Sequence, residues 1–453
     1  MRRDPIHETK KTTTMNKKRP ASLPVRAIAL AALACCGTAH AQSDPQLLEQ
    51  VRQLREELQQ VRKELDAMKA RPAPAAAASG WEAPASPSAT GAAAPQPASA
   101  SAASGINFFG YGELSYTRPR HDPAATTATA GRGVLGFGYR FNETTRMAAE
   151  LEVENAVASS SDQGEVAFEQ LYLEHDLNAS LSAKAGLFLL PVGIMNESHE
   201  PTRYFGVFRN QVETAIIPTT WRELGVGVQG TTASGLRWNT GVVTGFNLTK
   251  WDASSDEGRE SPLGAIHQEG QLALARSLAA YGAVNYNGIP GFNVGGSIFH
   301  GGVGQHQPNF AGGSASVTLA EAHARWQPGR WDLSGLVAQG RFHDVAALNA
   351  TFAGQPTPVP DRFGGWYLQG AYKLWNQGEQ ALWPFARYER LNTAQAYSGL
   401  PQGVAPAVQP DTRTLTVGLN YYLHPQVVLK ADYMRFLNDS TLDRLNLGIG
   451  FDF

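Results

Sequence analysis

The stretch Leu445–Phe453, LNLGIGFDF, constrains the chain more than any other. Leu445, Leu447, Ile449, Phe451 and Phe453 fall on one side of an extended strand. Asn446, Gly448, Gly450 and Asp452 fall on the other. Strict period-two alternation of this kind marks a strand with two unlike surroundings. A soluble domain rarely ends on a strand whose apolar face finishes in a free Phe. A transmembrane barrel does so readily, because its closing strand shows one face to lipid and the other to a wet lumen. The expectation is a barrel closed by this strand.

The rest of the chain must then supply enough strands. From Ile106 onward the pattern predicts strands beginning near Ile106, Gly133, Thr145, Glu165, Ser180, Arg222, Gly235 and Ala279. Eight more begin near Gly291, Ala315, Arg330, Phe363, Glu379, Pro410, Gln426 and Thr441. The total of sixteen is even, as a bacterial single-chain barrel requires. The eighth is the least secure, since Gln271–Ala280 also suits a short helix leading into it. The fold class expected is all-β, a sixteen-stranded antiparallel transmembrane barrel.

The connections alternate in length. Short ones such as Asn142-Glu143-Thr144, Asn287–Pro290, Trp375–Gly378 and Leu423–Pro425 carry Gly, Asn and Pro, the residues that tight turns need. Long ones include Arg118–Arg132, Pro191–Trp221, Leu248–Glu269, Arg341–Arg362 and Leu391–Gln409, with a tight exception at Asn438-Asp439-Ser440. Short turns at one rim and long loops at the other is the outer-membrane arrangement, with the short turns periplasmic. A soluble β-sandwich gives no reason for the alternation.

Charges assign the faces. In Thr145–Glu154, Glu150 and Glu152 oppose Ala149, Leu151 and Val153; in Ser316–Trp326, Glu321, His323 and Arg325 oppose a row of alanines. A charge on lipid costs about 2–4 kcal/mol near the midplane, so Glu150, Glu152, Lys184, Glu321, Arg325 and Lys373 are expected to face the lumen. Trp238, Trp326, Trp331, Tyr388 and Tyr421 suit aromatic girdles.

Ahead of the barrel come three segments. Residues 1–41 read as a signal peptide, with Met15 the more plausible start: Lys17, Lys18, Arg19 and Arg26 precede the apolar run Ala27–Cys36, and Ala39-His40-Ala41 is a small-x-small cleavage signal. A lipoprotein site at Cys35 is less well served, because Ala32-Leu33-Ala34 suits it only loosely. Both cysteines lie in this segment, so the exported chain has no disulfide framework and no thiol metal site.

Residues 42–70 carry Leu47, Val51, Leu54, Leu58, Val61, Leu65 and Met68 at spacings of four and three, a heptad seam. Glu57 and Glu64 can meet Arg62 and Lys69 of a neighbouring helix. The competing reading is an amphipathic helix on its own barrel. Residues 71–105, nearly all Ala, Pro, Ser and Gly, read as a flexible linker. The first 41 residues carry a net +6 and the remainder −8, which leaves no basic bias for nucleic acid.

The loop Pro191–Trp221 stands out. It is long and carries Met195, Tyr204, Phe205, Val207, Phe208, Ile216 and Ile217. A solvated loop has no use for so many apolar groups, whereas a loop folded against the inner wall uses them as anchors. It also brings Arg203, Arg209, Glu197, His199, Glu200 and Glu213 to the lumen as constriction candidates. Guanidinium groups there would attract anions; the plainer reading pairs them with the three glutamates to fix the loop.

At this point the chain resembles the phosphate-selective porin O and P family. The stretches GYGELSYTR, GLFLLPVGIMNESHEPTRYF, ETAIIPTTWRELGVGVQG and PFARYERLNT and the terminal FDF are similar to that family's, over most of the chain from about Gln46. The resemblance implies a homotrimeric outer-membrane channel narrowed by its third long loop and set in lipid and lipopolysaccharide. It also implies that Phe451 and Phe453 carry barrel closure and the signal read by the barrel assembly machinery. It does not settle the solute. The characterised phosphate channels rely on an arginine ladder and a lysine cluster, but this barrel has only Lys184, Lys250, Lys373 and Lys430. From Ile106 on there are 24 basic and 31 acidic residues.

No nucleophile motif surrounds His175, His323 or His343, and Gly133–Phe141 lacks the helix and lysine of a nucleotide loop. Asp252, Asp256, Glu257 and Glu260 read as an acidic solvated loop rather than a Ca²⁺ site. No enzyme, cofactor or metal is expected. The reading is a porin passing small hydrophilic solutes, including anions such as phosphate; the alternative is an envelope tether that uses the coiled coil, with the barrel as its anchor.

Overall fold

The computed structural model describes residues 105–159, 164–404 and 406–453. The signal peptide, coiled coil and linker lie outside them. The described residues form sixteen strands in chain order, each antiparallel to the next. The first eight are Ile106–Pro119, Thr127–Arg140, Thr145–Glu154, Val166–Asn178, Leu181–Leu189, Arg222–Thr231, Leu236–Thr244 and Leu278–Ile289. The ninth to eleventh are Phe292–Gly302, Ser316–Trp326 and Trp331–His343. The twelfth, Arg362–Tyr372, resumes after two residues as Trp375–Gln377, and both parts pair with the thirteenth, Gln380–Ala396. The last three are Thr412–His424, Val427–Phe436 and Arg444–Asp452.

The sixteenth strand pairs with the first, from Tyr111↔Asp452 to Pro119↔Arg444. The sheet therefore closes and leaves no edge with unpaired backbone groups, the condition for a sheet that stands in lipid. Two aromatic rings cover the seam. A Cβ built at Gly112 would meet the Phe451 ring at 2.6 Å, and one at Gly110 would meet the Phe453 ring at 2.9 Å. Phe453 and Gly110 also exchange backbone hydrogen bonds of 2.9 and 3.2 Å.

Long and short connections alternate without exception. The described residues of 120–126, 155–159, 164–165, 190–221, 245–277, 303–315, 344–361, 397–404, 406–411 and 437–443 lie at one rim, and short turns lie at the other. Two of the tightest turns, at 290–291 and 378–379, place Gly291 and Gly378 at φ +73° and +58°, a region open to glycine at little cost. The second strand starts at Thr127 rather than near Gly133, so its loop is shorter than expected. The helix considered for Gln271–Ala280 does not form. Gln268 ties Leu274 N–H and Leu274 O with its side chain, and from Leu278 the chain pairs with both neighbouring strands.

The two faces differ as the alternation predicts. Leu135, Leu151, Phe168, Val226, Ile298, Val337, Leu368, Val417, Leu447 and Ile449 are exposed on the outside. Arg132, Glu150, Glu174, Asn239, Glu321, Arg387, Asn420 and Asp432 are buried on the inside. Trp326 and Trp331 stand half exposed at the short-turn rim, where Trp331 packs on Tyr372 at 4.8 Å.

Candidate functional site

Residues 190–221 leave the fifth strand and fold into the barrel, where two different kinds of contact hold them. The first is apolar. Val212, Ile216, Ile217 and Trp221 are buried in one cluster with Phe246, Tyr281, Phe299 and Leu336. The Trp221 ring lies 5.2 Å from Phe246 and 4.7 Å from Phe299, and its indole N–H donates to Glu223. Asn196 ties the ends of the loop together. Its amide donates to Leu190 O and Trp221 O, and its oxygen accepts from Trp221 N–H at 2.7 Å. Glu213 is the hub beside this cluster. It accepts from Ile194 N–H (2.6 Å), Met195 N–H (2.7 Å), the Asn210 amide (2.8 Å) and the Tyr367 hydroxyl (2.9 Å). Burial pushes its carboxyl above the usual range, against the pull of these bonds.

The second kind is polar and runs from His199 to Gln211. His199 Nδ1 meets Asn196 O at 2.9 Å; its Nε2 meets Glu169 Oε1 and the Tyr111 hydroxyl, both at 2.8 Å. Arg132 links loop and wall, donating to Glu113 at 2.7 Å and to His199 O at 3.3 Å. Tyr204 donates to the other Glu113 oxygen at 2.8 Å, and Lys430 Nζ lies 3.5 Å from the centre of the Tyr204 ring.

Loop backbone N–H groups donate to the wall: Gly206 to Asn420, Val207 to Asp432 and Gln211 to Glu389. Arg387 in turn donates to Phe205 O and pairs with Glu389 at 2.9 Å. These contacts tie the loop to the inner wall at the first, second and fourth strands and at the thirteenth to fifteenth.

The constriction candidates separate on this frame. Arg203 is more than half exposed and lies 3.9 Å from Asp452. Arg209 donates to Thr220 at 3.1 Å; burial, and then the nearby Arg132 charge, hold its pKa below the usual arginine value. Glu197 is half-buried and acts electrostatically on Lys184. One Glu200 oxygen has no hydrogen-bond partner among the described residues. Glu213 is fully occupied inside the protein.

All six wall candidates face inward. Glu150 and Glu152 are buried, and Lys184 Nζ lies 4.7 Å from the Phe188 ring centre. Glu321 pairs with His323 at 2.8 Å, Arg325 with Asp332 at 2.6 Å, and Lys373 lies over Trp383 at 5.0 Å. Between loop and wall lies a small recess of about 20 Å³, lined in part by Arg203, Tyr204, Asn210, Arg325, Ser334, Gln369 and Arg387.

The sequence reading missed Glu169, Tyr111, Arg132 and Asp432. Glu169 had a visible signal. Outward Phe168 and Leu171 are three apart rather than two, so a bulge falls between them. The ladder shifts there, and both Glu169 and Gln170 are buried inside.

A closed sixteen-stranded barrel with polar groups inside, an apolar exterior and a long loop folded inward has the fold of the bacterial porins. It matches Salmonella typhi OmpF, solved in complex with daunomycin, with a TM-score of 0.54 at 13% identity, over 77% of this chain and 98% of that one. An anion-selective porin from Comamonas acidovorans matches at a TM-score of 0.48 and 13% identity, over 78% of this chain and all of that one. No protein-family model matches. An uncharacterized protein of Aquifex aeolicus (strain VF5) is 31% identical over 341 residues, 73% of this chain and 76% of its own length. The chain belongs to the family of that Aquifex protein.

Proposed function

We propose that the chain forms a water-filled channel in the bacterial outer membrane for passive diffusion of small hydrophilic solutes, with residues 190–221 as its constriction. One observation carries this reading: a loop inside a closed barrel is hydrogen-bonded to inward wall side chains of the first strand and of the thirteenth to fifteenth. The porin fold supports it. The homotrimer and the contacts with lipopolysaccharide and the assembly machinery belong to the same proposal.

Preference for anions such as phosphate rests on Arg203, Arg325 and Arg387, which line the recess between loop and wall. Arg325 and Arg387 are already paired with Asp332 and Glu389. Arg203, more than half exposed and held among the described residues only by a long 3.9 Å ion pair with Asp452, is left to carry most of the preference, helped by Arg209.

Reversal potentials across planar bilayers under a salt gradient test this. The expected result is a modest anion preference that moves toward cations in Arg203→Ala, and by less in Arg209→Ala. Cation preference in the wild type, or no shift in Arg203→Ala, would remove the anion reading and leave a general channel.

A further inference from the structure

We propose that the interior face of the last strand is a shaped seat for residues 201–207, and that Gly448 and Gly450 are positioning residues that set the channel's bore. This rests on the constriction reading above.

Asn446, Gly448, Gly450 and Asp452, four of the five inward residues of that strand, meet residues 201–207 or the group that holds them, and the fifth, Arg444, lies 5.7 Å from the centre of the Phe208 ring. Asn446 donates to Asp432 Oδ1 at 2.7 Å, and the other Asp432 oxygen accepts from Val207 N–H at 2.6 Å. Asp452 lies 3.9 Å from Arg203. Between them, a Cβ built at Gly448 would stand 3.0 Å from Val207 Cγ1, and one at Gly450 would stand 2.5 Å from Pro201 Cβ.

The Gly450 contact is the more demanding. Pro201 is a rigid ring set in the loop backbone, not the end of a flexible side chain, so it cannot swing aside. Any side chain at 450 must push the loop away from the wall and into the lumen. Crowded strand glycines elsewhere, such as Gly136 beside Phe109 and Gly340 beside Phe363, are hemmed in by the strands themselves, while a Cβ at Gly133 or Gly282 meets nothing within 4 Å. The crowding at 448 and 450 comes from the loop. Glycine weakens a strand interior and often marks the close approach of another backbone. The seat also adjoins the closing seam, since this strand pairs with the first, whose Glu113 holds Tyr204. The loop thus reaches its place only on a closed barrel.

The test compares single-channel conductance in planar bilayers, with folding checked by the heat-modifiable shift of the barrel on gels. Gly450→Val is expected to lose conductance. Pro201→Gly in the same chain is expected to restore much of the loss by removing the ring that collides, and Gly133→Ala to behave as wild type. Wild-type conductance from folded Gly450→Val, or no rescue by Pro201→Gly, would overturn the proposal. If Gly450→Val does not fold, Gly448→Ala carries the test, with Val207→Ala in place of Pro201→Gly as its rescue and the same outcomes.

A Val207→Cys/Gly448→Cys pair separates the seat from the channel reading, because the only native cysteines are Cys35 and Cys36. If the wild type gives no current steps, the channel reading fails. Oxidative cross-linking of the pair in the folded barrel then keeps the seat, and its absence overturns it.

Discussion

Two stretches of residues 190–221, the base around Trp221 and the middle around Tyr204, are held by different forces. Around Trp221 the loop is anchored by apolar burial, with Ile216, Ile217, Phe246 and Phe299 sealed from solvent. Around Tyr204 it is held by directed bonds: Glu113, Arg132, Asp432, Glu389 and the His199–Glu169 contact. Apolar burial is undirected and strong in sum, so it fixes that the loop folds inward. Hydrogen bonds contribute little net but lose much when misplaced, so they fix where the loop lies. The apolar base supplies stability and the polar middle supplies position.

Removing the apolar anchor should have the largest effect. Trp221→Ala is expected to cost about 3–5 kcal/mol, the usual range for emptying a large buried aromatic site, read as a lower midpoint of denaturant unfolding. The comparison predicts noisy, enlarged conductance from the barrels that still fold. Quiet wild-type conductance would place the anchor elsewhere.

The polar middle should respond more mildly in stability and more sharply in position. Tyr204→Phe removes one hydroxyl, and Glu113 keeps Arg132. A loss of about 1 kcal/mol is expected, with a changed conductance level. A loss as large as that of Trp221→Ala would erase the distinction between the two stretches.

A smaller, pH-dependent difference should come from Glu213, at the junction. Its carboxyl is raised by burial in the folded loop, so the folded state takes up a proton at higher pH than the unfolded chain. Its contribution is then fully present below the ordinary carboxylate value of about 4 and is lost as pH rises through the raised value. Glu213→Gln cannot titrate. Wild-type stability relative to that variant should fall as pH rises, and a rise would contradict the assignment.

The barrel was legible in the sequence because each cue for it is local. Period-two alternation in Thr412–His424 or Arg444–Asp452 needs no knowledge of the partner strand, and turn residues mark their own rim. The inward loop was legible for a related reason: seven large apolar groups in one long connection have no use in water. Its docking partners were not, because they lie up to 225 residues away, as with Val207 and Asp432. Glu213 shows the same limit. Sequence placed it with the charges of a constriction, but four donors from two parts of the loop and the twelfth strand converge on it. The glycines of LNLGIGFDF first looked like a polar face toward a wet lumen. In the fold, Gly448 and Gly450 are the room that the loop occupies.

The most direct measurement is single-channel recording from the purified, folded barrel in planar bilayers, beside a variant in which residues 198–208 are replaced by a short Gly-Ser bridge. Discrete current steps from the wild type, and larger steps from the bridged variant, are the predicted result. A folded barrel that passes no current, or a bridged variant with unchanged steps, would contradict a channel narrowed by this loop.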